Sequence, residues 1–215
     1  MDWHDWHEAY DEPGSELGRR LVVVRERIGE ALDEAPAGPV RVVSACAGQG
    51  RDLLPVLRGH PRRNDVVARL VELDPRNAEV VRRAAVEAGL RGVDVVTGDA
   101  AATRHYVDLA PARLVLMCGV FGNITDSHIR RVLDHCTALC ATGGTLIWTR
   151  HRRPPDLVPD ICGWLAERGF EQRWLPEPDA GFGVGVHRFT GEPAALPADA
   201  SMFTFRGYRA LRGTG

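Results

Sequence analysis

The chain has 215 residues, of which 44% are hydrophobic and 26% charged, and its formal net charge is −2. This composition is typical of one globular domain, and the lack of a basic excess argues against nucleic acid as a partner. All 27 residues counted as lysine or arginine are arginine. The absence of lysine excludes a Schiff base, a P-loop lysine and a Tyr-x-x-x-Lys dehydrogenase pair.

No apolar run approaches the roughly 20 residues of a membrane span, and the polar N-terminus is unlike a signal peptide. We therefore expect a cytoplasmic protein that does not bind a membrane. The five cysteines, an odd number, lie in apolar segments and are predicted to be reduced. Because no zinc-type spacing of Cys or His occurs, we expect no metal ion.

Helical and strand-like patterns alternate along the chain. The predicted elements are, in order, a helix at 15–34 capped by Ser15, a strand at 40–45, a helix at about 51–58, a strand at 68–73, a helix at 75–88, a strand at 93–96, a weaker helix near 100–108, a strand at 113–118, a helix at 126–140, a strand at 145–149, a helix at 156–168, and strands at 170–175 and 183–189.

This alternation predicts an α/β fold with a mostly parallel sheet that helices cover on both faces. The turn-rich segment between the last two strands suits a hairpin, so the final strand should be antiparallel. We interpret residues 1–37 as an N-terminal helical cap segment and residues 38–215 as the ligand-binding domain, together forming one compact unit.

The loop after the first predicted strand is the most informative segment of the sequence. A strand, a tight loop of small residues and a helix form the first turn of a nucleotide-binding α/β sheet. Glycines in such a loop let the backbone approach a ligand closely. The residues of this loop predicted to bind a cofactor are Ser44, Ala45, Ala47, Gly48 and Gly50.

Further candidates follow the next strands, because ligands of such sheets bind beyond the carboxyl ends of the strands. Glu72 lies about twenty residues after Gly50, where a carboxylate accepts hydrogen bonds from ribose hydroxyls. Asp99 suits the exocyclic amine of adenine. An ordinary strand-end charge and a helix cap are the alternative interpretations of these two acids. The other predicted contacts are Leu73, Ala100, Cys118, Gly119 and Val120.

The order of the small-residue loop and the two acids along the chain resembles that of the class I S-adenosylmethionine-dependent methyltransferases. The resemblance covers about residues 38–190. Ser44 stands where the family usually has Asp or Glu, and Cys46 where it usually has the first glycine. The resemblance implies a three-layer doubly wound sheet in the order 3-2-1-4-5-7-6. It also implies S-adenosylmethionine as cofactor and S-adenosylhomocysteine as product.

The resemblance further implies methyl transfer to oxygen or nitrogen, with carbon as the less favoured alternative. The Asn/Asp-Pro-Pro-aromatic motif of nucleic-acid amino-methylating enzymes is missing after the fourth strand, so we expect a small-molecule acceptor. A base near the operating pH would help to remove the acceptor's proton. His128 and His7 are the candidates, and surface or packed histidines are the alternative interpretation.

Other residues are assigned to the carboxylate of the cofactor and to the methyl acceptor. Tyr10 and Arg20 are candidates for binding the cofactor's carboxylate. Phe121, Asn123 and His151 are candidates for contacts with the acceptor, although core packing is an alternative for the aromatic ring. We expect a monomer or a homodimer.

Two other classes of function remain open. One is an S-adenosylmethionine-binding protein of the same fold without transferase activity, a scaffold or regulator, to which the departures at Ser44 and Cys46 give weight. The other is a nicotinamide-dependent oxidoreductase, although Leu53 stands where its third glycine would be.

Overall fold

The computed structural model describes residues 14–205, which form one seven-stranded sheet and the helices around it. The strands are β1 (Val40–Ala45), β2 (Val66–Glu72), β3 (Val93–Thr97), β4 (Ala112–Met117), β5 (Cys140–His151), β6 (Phe170–Trp174) and β7 (Phe182–Phe189). Their order is β3-β2-β1-β4-β5-β7-β6. Strands β1 to β5 are parallel, and β7 is antiparallel to β5 and β6. The predicted fold class and strand order are confirmed.

Within residues 14–205, five α-helices flank the sheet: α1 (Glu16–Asp33), α2 (Leu53–Gly59), α3 (Pro75–Glu87), α4 (Asp126–Leu139) and α5 (Val158–Ala166). Helices α1 to α3 pack on one face of the sheet, and α4 and α5 pack on the other. Each face has its own cluster of buried apolar residues. Helix α1 begins after Ser15, whose hydroxyl accepts the N–H of Gly18 at 3.0 Å. None of the helices within residues 14–205 is long and apolar enough to cross a membrane.

The prediction of a helix near 100–108 is wrong. The connector between β3 and β4 contains only a 3₁₀ turn at Thr103–His105. Local turns satisfy several of its backbone groups, and two others bond to the segment that follows β7. The N–H of Thr103 donates to Ala200 O at 3.0 Å, and the N–H of Met202 donates to Ala101 O at 2.8 Å. Because these groups have partners outside the connector, a helix is not needed to satisfy them.

Strand β5 is longer than predicted. It begins at Cys140 rather than near 145, because Cys140 pairs with Ala112 at the start of β4. The register between the two strands then shifts before Leu114. Residues 143–144 lie within this irregular part of the strand.

A buried histidine lies on β7, the strand next to the edge strand β6. His187 of β7 is 0% exposed, and its Nδ1 accepts the N–H of Trp148 from β5 at 3.3 Å. A Cβ at Gly185 would lie 2.2 Å from the Trp148 ring, so glycine is required where the indole crosses β7. Burial lowers the pKa of His187 to about 4, so this side chain is neutral at physiological pH.

Candidate functional site

A cavity of about 530 Å³ lies at the carboxyl ends of β1, β2, β3 and β4. This volume is within the usual range for sites that bind cofactors and small molecules. Its walls come from α1, from the loops after these four strands, and from two residues that follow β7. The cavity is where ligands of a doubly wound sheet bind.

The loop after β1 is held against β2. The N–H of Ala47 donates to Val71 O at 3.0 Å, and the N–H of Gly48 donates to the Glu72 carboxylate at 2.8 Å. Gly50 has a φ of +67°, and a Cβ there would lie 3.1 Å from the Leu54 side chain. Glycine therefore allows both the left-handed backbone and the tight start of α2.

The Glu72 carboxylate is fixed by two backbone donors. Oε2 accepts from Gly48, and Oε1 accepts from the N–H of Asp74 at 2.9 Å. The residue is 8% exposed and lines the cavity. Since each carboxylate oxygen can accept a second hydrogen bond, Glu72 can still accept from two neighbouring hydroxyls of a ribose.

Asp99 lies at the same edge of the sheet, after β3. Its Oδ1 accepts the N–H of Ala101 at 2.9 Å, and both Asp99 and Ala100 line the cavity. This hydrogen bond fixes the direction of an exposed carboxylate. An acidic acceptor beside a buried small residue fits the amine edge of a purine.

Cys46 is the described non-glycine residue with a positive φ, at +55°. It occupies the position where the resembling family usually has glycine. Its thiol lines the cavity, and burial, followed by the charges of Glu72 and Asp99, raises its pKa far above the usual range. The thiol is thus protonated and is not an activated nucleophile.

We expect Cys46→Gly to be more stable to urea than Cys46→Ala by about 0.5–1 kcal/mol, because a Cβ costs roughly 1–2 kcal/mol in the left-handed region while glycine loses about 0.4–1 kcal/mol through chain entropy. The same pair at Cys162, within α5, is the control and should show the ordinary order, with alanine the more stable. An alanine variant at position 46 that is at least as stable as the glycine variant contradicts the prediction.

An arginine and an aspartic acid also line the cavity: Arg20 of α1, and Asp52, which precedes α2. Both also act on the Cys118 thiol, whose pKa is raised by burial and then by Asp52, while Arg20 opposes the shift. Burial raises the pKa of Asp52, although hydrogen bonds from the backbone and the charge of Arg25 counteract it. This pair suits a ligand that carries both an ammonium and a carboxylate.

The predicted site residues that line the cavity are Arg20, Ala47, Gly48, Glu72, Leu73, Asp99, Ala100, Cys118, Gly119 and Asn123. The predicted residues within 14–205 that do not line it are Ser44, Ala45, Gly50, Val120, Phe121, His128 and His151. His7 and Tyr10 lie outside the described residues.

Three of the residues outside the cavity have other surroundings. Phe121 is 0% exposed and packs on Trp148 with ring centroids 5.8 Å apart, so it belongs to the core rather than to a substrate wall. His128 accepts the N–H of Thr204 at 3.2 Å through Nδ1. His151 accepts the N–H of Arg153 at the same distance.

The sequence interpretation missed several residues that line the cavity. Asp52, Asn77, Thr149, Phe203 and Phe205 are among them. Asp52 could have been predicted to line the cavity, because it closely follows the glycine loop. No local signal existed for the two phenylalanines, because they lie far along the chain from the rest of the site.

Two comparisons with known sequences give different results. A model of the putative methyltransferase family matches residues 17–168. The sequence has no significant match among curated proteins.

Solved structures share the fold at low sequence identity. A CurJ carbon methyltransferase has a TM-score of 0.64 at 16% identity, over 83% of this chain and 56% of that one. Magnesium protoporphyrin IX methyltransferase from Synechocystis, with bound S-adenosylmethionine, has 0.61 at 13% over 80% of both chains. An O-methyltransferase family protein from Burkholderia thailandensis has 0.58 at 17%, over 77% of this chain and 56% of that one. The chain therefore spans little more than half of the first and third of these proteins.

Proposed function

The chain belongs to the putative methyltransferase family, whose model covers residues 17–168, and on this premise we propose that it methylates a small molecule at oxygen or nitrogen. The cofactor is S-adenosylmethionine. The observation that carries the proposal is the Glu72 carboxylate, held at the cavity by two backbone N–H groups from different loops. A rigid carboxylate beside the small-residue loop supports the assignment of Glu72 to the ribose.

The polar groups of the cavity match the parts of the cofactor in order. We assign Glu72 to the ribose hydroxyls and Asp99, with the backbone beside it, to the adenine edge. Arg20 and Asp52 supply opposite charges for the carboxylate and the ammonium of the amino-acid end. The bound cofactor supplies a methyl group already activated by a sulfonium, so we propose that no metal ion is needed.

The protein's contribution is then to orient the acceptor and to exclude water. The loop after β4 is fixed at the cavity, because the N–H of Gly119 donates to the Thr149 hydroxyl at 2.8 Å and Asn123 donates to Gly119 O at 2.7 Å. Correct orientation of two reacting groups can lower a barrier by roughly 7–11 kcal/mol. His128 and His7 remain predictions for the base that accepts the acceptor's proton.

A small-molecule acceptor is supported by the net charge of −2, because a nucleic-acid enzyme gains affinity from a basic surface. We also propose that the protein acts in the cytoplasm, without a membrane or a nucleic acid as partner, as a monomer or homodimer.

Transfer of a deuterated methyl group tests the proposal. The protein is incubated with methyl-deuterated S-adenosylmethionine and fractions of a metabolite extract, and products are analysed by mass spectrometry. We expect at least one fraction to give a trideuteriomethyl product together with an equal amount of S-adenosylhomocysteine. Glu72→Ala protein should give far less of both.

Two outcomes contradict the proposal in different ways. Tight binding of S-adenosylhomocysteine without product from any fraction favours a binding protein without transferase activity. Preferential binding of NADH over S-adenosylhomocysteine favours an oxidoreductase.

A further inference from the structure

The segment after β7, residues 191–205, runs back along α4 to the cavity, and we call it the C-terminal strap. At its start, Gly191 O accepts the hydroxyl of Thr142, and the N–H of Ala194 donates to Thr137 O. Towards its end, the N–H of Thr204 donates to Nδ1 of His128 near the opposite end of α4. The strap therefore spans the length of this helix and reaches the carboxyl edge of the sheet.

The strap is bonded to the connector that follows β3. Ser201 forms an antiparallel bridge with Ala102, and the hydroxyl of Thr103 and the backbone of Ala200 bond to each other at 2.9–3.1 Å. Met202, 0% exposed, donates its N–H to Ala101 O at 2.8 Å. These contacts occupy the place where a helix between β3 and β4 was predicted.

Two aromatic rings at the end of the strap line the cavity. Phe203 is 2% exposed and Phe205 is partly buried, and their ring centroids lie 6.4 Å apart. Ala101 links these rings to the adenine-side acid, because its N–H donates to Asp99 while its carbonyl accepts from Met202. The aromatic end of the strap and Asp99 thus belong to one hydrogen-bonded unit.

We propose that the C-terminal strap is a wall of the adenosyl pocket, with Phe203 and Phe205 packing against the purine, so that cofactor binding and strap docking stabilise each other. The inference rests on the cofactor site proposed above. Aromatic side chains recognise purines through their faces, independently of the amine edge. Linkage follows because a ligand that contacts the docked strap stabilises that state over any undocked one.

Calorimetry with two ligands tests the wall. We expect Phe205→Ala to weaken the binding of S-adenosylhomocysteine and of 5′-methylthioadenosine by a similar factor, about 10-fold or more, since a lost base–aromatic contact changes affinity by about 5- to 150-fold. The second ligand lacks the amino-acid end, so an equal factor locates the effect at the adenosyl group.

The neighbouring variant Thr204→Ala is the matched control. The Thr204 side chain is exposed, and its contact with His128 uses the backbone N–H, so ligand affinity should stay at the wild-type level. Wild-type affinity for both ligands in Phe205→Ala, with a changed KM for the acceptor alone, overturns the proposal and moves the ring to the acceptor side.

Hydrogen exchange provides a readout that needs no substitution. Saturating S-adenosylhomocysteine should slow exchange of the Met202 and Thr204 amides, both of which are bonded only while the strap is docked. Unchanged exchange at both amides overturns the linkage. Because the wild-type protein must bind S-adenosylhomocysteine in these experiments, failure of the cofactor site is seen separately from failure of the strap proposal.

Discussion

Glu72→Ala is expected to weaken the binding of S-adenosylhomocysteine by about 10- to 150-fold, since losing hydrogen bonds to a charged acceptor costs about 1.5–3 kcal/mol. The substitution removes two functions of the carboxylate at once. In the proposed site it accepts the ribose hydroxyls. In the structure it also holds the N–H groups of Gly48 and Asp74, which the alanine variant leaves without this partner. Isothermal titration calorimetry measures the loss directly.

Two further variants separate binding from folding. Glu72→Gln keeps one carbonyl oxygen, so we expect an intermediate loss, because its amide nitrogen cannot accept from either N–H. Glu79→Gln removes an exposed carboxylate from α3 and should bind like the wild type. Wild-type affinity in Glu72→Ala, in protein that remains folded by circular dichroism, would refute the ribose assignment.

The sequence predicted the fold well because each signal for it is local. Apolar runs followed by small-residue loops identified the strands, and Ser15 and Pro75 correctly indicated where helices begin. Glu72 was accessible to sequence reasoning because it lies at a fixed distance after the glycine loop. Its geometry was not, since the two N–H groups that hold it come from separate loops.

The errors occur where distant parts of the chain meet. The alanine-rich connector near 100–108 has a helical pattern, but the N–H of Thr103 donates to Ala200 O and the N–H of Met202 donates to Ala101 O, and the connector forms turns instead of a helix. The same strap supplies Phe203 and Phe205 to the cavity, and no local pattern ties those residues to Asp99. Phe121 was assigned to the acceptor because it follows β4 between two glycines, whereas its ring turns into the core against Trp148.

The stability of the folded protein should fall by about 3 kcal/mol as the pH decreases from 7 to 4, through His187 alone, since one pKa unit corresponds to about 1.4 kcal/mol. Burial lowers the pKa of this histidine to about 4 in the folded state, while the unfolded chain retains the ordinary value of 6.5. Between these values the unfolded state binds the proton and the folded state does not. The contribution is therefore complete above pH 6.5 and is lost as the pH falls towards 4.

Urea unfolding of His187→Asn across this pH range isolates the effect. Asparagine offers an oxygen near the position of Nδ1, so it can still accept from Trp148 but does not titrate. The difference in unfolding free energy between wild type and variant should shrink by about 3 kcal/mol from pH 7 to pH 4. His135→Asn, at a partly exposed histidine of α4, should follow the wild-type curve. Parallel curves of unfolding free energy against pH for wild type and His187→Asn would contradict this prediction. They would mean that His187 is protonated as readily in the folded state as in the unfolded chain, through a proton acceptor at Nε2 or access of water to the core.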